Sequence, residues 1–341
     1  MSLTNNRDRL VKTARRGGIT LVVGAGISRD FGVPNWENLA MRVWEATFPG
    51  KKSPWDAPDD KSPRSFPQFL PIVFEMALQE LGRERFIETL HDCLYKNLRV
   101  SGVHQWTRSL EVLADLIVRE HRTRGKRRLL RVISFNVDDL LERAVSARRD
   151  KSGKQASEGF ARAGRFPRWD RGDEPIPIYH LHGWIVRGSR RSKNVPWAKN
   201  YDHMLVFADS QYWNSNSKVL SHANRIIGFA LHDSHCVFVG ISMTDINLLR
   251  WLALSRNELV DEFEQIERRY RADREDRIPP DYRPLQPPGM NRHFWIRPAS
   301  DDPTGFLTEF LKTRGVLSVG LRSWSGRSFE NLIAECFPPD D

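Results

Sequence analysis

Cysteine is scarce in this chain. There are three in 341 residues, Cys93, Cys236 and Cys336, an odd number at wide and irregular spacing. That argues against a disulfide framework or a zinc site and suits a reducing compartment. A chain of this length buries enough core to need neither staple. Long hydrophobic runs are lacking too: no apolar stretch approaches the ~18 residues of a membrane span. Arg7, Asp8 and Arg9 keep the start polar, where a secretory signal would carry its apolar core. The expectation is a cytoplasmic protein without membrane contact. With no internal repeat and no low-complexity tract, the length allows one large domain with an insert or two intimate ones.

Acidic residues are the minority, 43 Asp plus Glu against 53 Lys plus Arg, a formal charge of +10. The excess favours acidic partners such as phosphates, nucleic acid or an acidic protein surface. The basic run 119–131 (REHRTRGKRRLLR) reads as a solvated turn at the end of a helix, with a nucleic-acid patch as the alternative. The eleven tryptophans, among them Trp36, Trp184, Trp197, Trp213 and Trp251, are scattered rather than interleaved with a basic stripe. They read as core or interface anchors, not as a base-stacking platform.

What the chain does have is a set of short, β-branched apolar runs. Residues 19–23 (ITLVV), 130–134 (LRVIS) and 236–239 (CVFV) each end in a polar turn containing Gly or Asn. Helical patterns follow the second and third, at 137–144 and 245–254. Further strands are expected at 293–296 and 317–319, with a helix at 305–313 between them. Such alternation predicts an α/β fold with a doubly wound parallel sheet. Between the first two strands lie a Pro- and charge-rich surface loop (51–64) and three helices, about 67–81, 83–95 and 103–119. They are expected to form a helical insert module over 60–119, with the sheet core at about 15–50 and 120–341 of a single domain spanning 1–341. Residues 150–171 and 188–200 read as polar loops, and 264–288 as a solvated helix end followed by a loop.

Gly24-Ala25-Gly26-Ile27-Ser28 follows the first strand and is expected to open a helix. Glycine there lets the backbone approach a pyrophosphate, and a helix N-terminus would offer it free N–H groups. The third glycine of the standard dinucleotide fingerprint is missing, as is a convincing acidic residue about twenty positions on; Glu45 sits mid-pattern on a helix. A tight strand–helix turn without a ligand is the alternative.

Three further segments change the weighing: Ser134-Phe135-Asn136-Val137-Asp138-Asp139-Leu140-Leu141-Glu142, then Tyr179-His180-Leu181-His182-Gly183, then Gly240-Ile241-Ser242-Met243-Thr244-Asp245. Taken in order with the glycine turn, Gly32-Val33-Pro34 and Pro34-Asn35-Trp36, they resemble the sirtuin (Sir2) superfamily. More narrowly, they resemble the bacterial Sir2-like NAD hydrolases of antiphage defence. The resemblance covers about residues 15–260 and implies a Rossmann-like, sirtuin-type sheet. It departs from protein deacylases twice. There is no C-x-x-C pair to hold the sirtuin zinc module, so no zinc is expected. Pro34-Asn35-Trp36-Glu37 stands where deacylases carry Pro-Asp-Phe-Arg.

Cleaving the nicotinamide–ribose bond releases a neutral group from a cationic ribosyl pyridinium, through an oxocarbenium-like transition state. The reaction needs a polar group that holds water or a ribose hydroxyl at C1′ and a base to take its proton. Histidine, with an ordinary pKa of ~6.5, suits the second task. The resemblance implies His182 as the base and Asn136 as the group that positions water or ribose. It also implies Asp138 as the residue fixing the Asn136 loop and the nicotinamide side of the pocket. Gly24, Ala25, Gly26, Ser28, Gly240, Ser242 and Asp245 are expected to contact the dinucleotide. Each has a plainer reading. His182 would otherwise be a core histidine, Asn136 a turn residue and Asp245 a helix cap. His180, two positions before His182 and on the same face if the strand is regular, reads as structural.

The resemblance implies an NAD glycohydrolase that makes nicotinamide and ADP-ribose, an antiviral effector that depletes NAD when triggered. NAD is then the substrate. A homo-oligomer with contacts through the helical insert is expected, together with a separately encoded sensor or activator. A DNA-translocating ATPase or a short Argonaute is the kind implied, so nucleic acid would be met only indirectly. The competing readings are an NAD-dependent deacylase or ADP-ribosyltransferase, and a non-catalytic nucleotide-sensing assembly module.

Overall fold

The computed structural model describes residues 3–28, 31–55, 70–96, 98, 108–123, 127–148, 176–187, 205–212, 221–272, 292–324 and 327–339. Trp197, Trp213 and the loops expected at 150–171 and 188–200 lie outside them, as do parts of those at 51–64 and 264–288 and the expected helix start at 103–107.

Helix α1 (Leu3–Arg16) leads into β1 (Ile19–Val23), followed by α2 (Trp36–Thr47), α3 (Leu70–Tyr95) and α4 (Arg108–Arg122). Then come β2 (Leu129–Ser134), α5 (Leu140–Ser146), β3 (Ile178–His180), α6 (His222–Asp233), β4 (His235–Val239) and α7 (Ile246–Ala272). The chain closes with β5 (His293–Pro298), α8 (Phe306–Thr313), β6 (Val316–Leu321) and α9 (Ser328–Cys336). The strands form one six-stranded sheet in the order β3-β2-β1-β4-β5-β6, every pair parallel. This is a Rossmann-like α/β fold, and its order reverses between β1 and β4. At such a switch point open parallel sheets form a ligand crevice outside the carboxyl ends of their strands.

Both faces of the sheet are covered, which is why β1 is apolar at every position rather than alternating. Leu21 and Val23 pack with α1, α2, α3, α4, α5 and α9, while Val22 between them packs with α6, α7 and α8. Helix α2 starts at Trp36 because the Asn35 side chain accepts the Asn38 N–H at 2.8 Å, a conventional N-cap. Helix α3 is broken at Gly82, whose φ of +68° is left-handed, so 70–81 and 83–95 are two rods. None of the described helices is long and apolar enough to cross a membrane.

Two expectations about the chain path need correction. The glycine turn does not open an α-helix: Ala25–Ile27 is a single 3-10 turn, and the next α-helix waits for Asn35. The basic run after α4 is not simply solvated either. Arg128 forms an ion pair with buried Glu120 at 2.7 Å and donates to the Pro338 carbonyl. Arg131 pairs with Asp233, and Arg119 donates to the Phe337 carbonyl. Arg128 and Arg131 tie the start of β2 to its neighbours and Arg119 ties α4 to the segment after α9, which is the work of structural cations.

Candidate active site

Register brings the site together. Val23, Ser134, His180 and Val239 lie side by side at the ends of β1, β2, β3 and β4. The ladder runs one residue further, with the Phe135 N–H on the Val23 carbonyl, that of Leu181 on Ser134 and that of Gly24 on Val239. The glycine turn, the Asn136 segment, the His182 turn and the Gly240 loop therefore leave the sheet in adjacent positions. That is a consequence of three pairings, not of sequence proximity.

The turns after β1 and β4 interlock. The Gly26 N–H donates to the Gly240 carbonyl at 2.9 Å. A Cβ on Gly26 would stand 2.8 Å from the Gly240 Cα, and one on Gly24 2.7 Å from the Gly240 oxygen. Glycine is thus required because two backbones meet, whatever else approaches them. Met243, further along the same loop, is the one described non-glycine residue with a left-handed φ, +58°. Ser242 is exposed and shares a 2.8 Å hydrogen bond with Thr244, whereas Asp245 caps α7 by accepting the Leu248 N–H at 2.9 Å.

Asn136 is 6% exposed and held at three of its four polar groups. Its N–H donates to Ser134 Oγ, its carbonyl accepts from His180 Nδ1, and its Nδ2 donates to Ser28 Oγ at 3.2 Å. Ser28 in turn donates to Asp138 Oδ1, which also accepts the Leu140 N–H. Because Ser28 takes the amide nitrogen, the amide oxygen is left over. Asn136 Oδ1 is buried without a hydrogen-bond partner. A buried unsatisfied acceptor costs ~1–3 kcal/mol, so its retention calls for a reason. A narrow pocket beside it is lined by Ala25, Pro34, Trp36, Leu94, Asn136 and Asp138.

His182 lies just past β3, which ends at His180; the regular strand that would put both imidazoles on one face is not there. The two rings have separate surroundings. His182 is 3% exposed and boxed by Trp36, Phe135 and Tyr212, with ring centroids 5.4, 5.4 and 5.7 Å away. Its Nδ1 is buried and unpartnered. Burial pushes its pKa below the ordinary value, with the Asp245 charge opposing, so the imidazole is neutral at neutral pH. His180 is also buried, which opposes its charging. Its hydrogen bond to the Glu142 carboxylate and that residue's charge outweigh burial and raise its pKa.

Asp138 is buried beside Asp139 and Glu142. Burial first, then those two charges, push its carboxyl up to about 7, against the Leu140 N–H and His180, which favour the anion. Its folded pKa is therefore above the unfolded one, near 3.9. The stability this contributes is complete below about pH 4 and lost as the pH rises through about 7. Asp138→Asn, neutral throughout, should gain on the wild type across that window. At ~1.4 kcal/mol per pH unit the gain reaches at most about 4 kcal/mol above pH 7, read from urea midpoints. A difference that stays flat from pH 4 to 8 would show that the fold leaves this carboxyl unperturbed.

Of the residues singled out from sequence, Ser28, Asn136 and Asp138 form one hydrogen-bonded chain. His182 shares Trp36 with the pocket beside them. Ser242 has no hydrogen bond to this chain among the described contacts. Sequence reasoning missed Phe135 and Tyr212 around His182, and the pairing of Glu142 with His180. Glu142 follows Asp138 at i+4, a spacing that places both on one side of a helix start and was legible; Tyr212 carried no signal. It also missed Tyr95 of α3, whose hydroxyl lies 3.2 Å from Asp139 and 2.5 Å from the Ile185 carbonyl. Among the described residues, no group of three or more His, Cys, Asp or Glu is placed to hold a metal.

Residues 130–286 match the family model of the SIR2-like domain, a family of NAD-using proteins. The match takes in the Asn136, His182 and Gly240 segments and lies C-terminal to the glycine turn. No curated protein matches the chain.

Proposed function

We propose that the protein is an NAD glycohydrolase that cleaves NAD to nicotinamide and ADP-ribose. The observation that carries this reading is the pair of buried, unpartnered polar atoms, Asn136 Oδ1 and His182 Nδ1, just past the carboxyl ends of β2 and β3. There Trp36 packs on His182 and lines the pocket beside Asn136, and both atoms fall within the stretch that matches the SIR2-like domain. An acceptor and a neutral base are what water or a ribose hydroxyl needs at C1′. Asn136 Oδ1 accepts a hydrogen bond from it and orients it. His182 takes its proton as the new C–O bond forms and the C–N bond to nicotinamide breaks. The bonding electrons leave with nicotinamide, which becomes neutral, so the site needs no general acid. The aromatic walls around His182 exclude bulk water from the reacting centre.

The test is incubation of the purified chain with NAD alone and with NAD plus an acetylated peptide. The expected result is nicotinamide and ADP-ribose in equal amounts, with the peptide making no difference. Nicotinamide released only with the peptide would assign deacylation instead, and NAD bound but not consumed would assign a sensing module.

A defence effector that depletes NAD must stay silent until triggered. We infer that control comes from assembly and from a separately encoded activator of the sensor-ATPase or short-Argonaute kind, acting on the 60–119 insert. Helix α3 touches the site through Tyr95 and Leu94, and its Glu75 accepts from both the N–H and the hydroxyl of Ser210, two residues from Tyr212. Light scattering with turnover measured across protein concentration should show an oligomer whose activity changes when the neighbouring gene product is added. A monomer whose activity that product leaves unchanged would remove this control from the reading.

A further inference from the structure

The buried charges behind Asn136 have no role in the chemistry just described. His180 ends β3, and its Nδ1 lies 2.7 Å from the Asn136 carbonyl oxygen. A carbonyl only accepts, so Nδ1 carries a hydrogen. At the other side of the ring, Nε2 is hydrogen-bonded to Glu142 Oε1, from the first turn of α5. The ring is held flat against Trp184, 5.6 Å between centroids and 13° between planes. A buried ion pair is an expensive way to fill space, since apolar residues of like volume often stabilise a fold as well or better. The sheet around it is filled that way: its two cores are made of aliphatic and aromatic side chains. What the pair does secure is the third anchor on Asn136, a charge-assisted bond on its carbonyl that complements Ser134 on its N–H and Ser28 on its amide nitrogen.

We propose that Glu142 and His180 are positioning residues for Asn136, fixing its peptide so that Oδ1 is aimed at the reacting ribose. The proposal deepens the NAD-cleaving reading of this site and rests on it for its catalytic consequence. Glu142 sets the ring of His180, His180 holds the Asn136 carbonyl, and neither touches substrate. Hydrogen-bonded partners that orient metal ligands are typically worth 10- to 100-fold in activity, and a partner that orients Asn136 is expected to matter on the same order. Glu142→Ala should therefore lower kcat for NAD by about 10- to 100-fold, normalised to the folded fraction by circular dichroism, with KM changed by less than about 3-fold. Glu142→Gln should restore most of the loss, because its amide can donate to Nε2 and leave the hydrogen on Nδ1.

A second readout does not depend on turnover. In full-length protein labelled at histidine, nitrogen NMR should show the His180 Nδ1–H bonded to a carbonyl in the wild type and in Glu142→Gln, and that bond lost in Glu142→Ala. Full kcat in Glu142→Ala, a Glu142→Gln as impaired as the alanine, or an Nδ1–H bond indifferent to residue 142 would each overturn the proposal. A wild-type protein that releases no nicotinamide would instead remove the NAD-cleaving reading. The NMR comparison would still decide whether Glu142 holds His180 on Asn136.

Discussion

Asn136→Ala and His182→Ala should each lower nicotinamide release from NAD by about 10²- to 10⁴-fold, the range for removing a positioned acid–base group, while the chain still folds and binds NAD. Few internal hydrogen bonds are lost by these changes. Asn136→Ala removes one at 3.2 Å to Ser28 and with it a buried unsatisfied acceptor. His182 has no bond at Nδ1 to lose, and its main-chain carbonyl continues to accept from Val206. The alanine at 182 does leave a space among Trp36, Phe135 and Tyr212, so His182→Phe, which refills the box without a base, separates packing from chemistry. Turnover, melting temperature and calorimetric NAD affinity would be measured on all three. Wild-type release from both alanine variants would sink the assignment of the site.

The acid side of the pH profile follows from the same residue. His182 works as a base only when neutral, and its folded pKa is below the ordinary 6.5. The acid limb of the activity profile should therefore lie below the ordinary histidine range. His180 behaves oppositely. The Glu142 carboxylate raises its pKa, so a limb attributed to it would lie above the ordinary histidine range.

The strands at 19–23, 129–134 and 235–239 were legible because strands covered on both faces need unbroken β-branched runs, and such runs are rare outside sheets. β3 was legible only in outline. Three residues, Ile178–His180, leave no room for a period, and the strand is fixed by its pairing with Val132, Ile133 and Ser134. The 3-10 turn after β1 was hidden by a glycine pattern that serves equally well to open a helix. In the site, Asn136, Asp138 and Ser28 were legible as residue types in a motif. The hydrogen-bond chain that joins them was not, because Ser28 and Asp138 are 110 positions apart and meet only through the pairing of β1 with β2. The rotation of the Asn136 amide is a local fact of that chain. So is the partner of His180, whose residue type reads as structural and whose imidazole holds the Asn136 carbonyl.

Gly240→Ala should destabilise the fold by about 2–5 kcal/mol, among the largest effects expected of a single added methyl group at the described glycines. Two costs add. The residue has φ +66°, where an L side chain costs ~1–2 kcal/mol. Its Cβ would also stand 2.8 Å from the Ile27 nitrogen, and forcing atoms into a packed interior costs ~1–3 kcal/mol. The obstacle is backbone held by the Gly26–Gly240 hydrogen bond, so it cannot swing aside as a side-chain tip would. Gly26→Ala meets the same wall from the other side without a left-handed φ, and should cost about 1–3 kcal/mol. Gly305→Ala isolates the backbone term, with φ +74° and open space around the added carbon, and should cost about 1–2 kcal/mol. Gly228→Ala, inside α6 with nothing within 4 Å, should be stabilising by about 0.5–1 kcal/mol. Urea denaturation of the four variants would read the series directly. Gly240→Ala within 1 kcal/mol of the wild type would mean that the two turns are not locked together. The same series separates two reasons for glycine after β1. If Gly26→Ala folds with a modest loss of stability yet no longer binds NAD, the turn is kept open for the dinucleotide as well as for Gly240. If stability and binding fall together, the interlock is sufficient reason, and the crevice at the switch point depends on it for its shape.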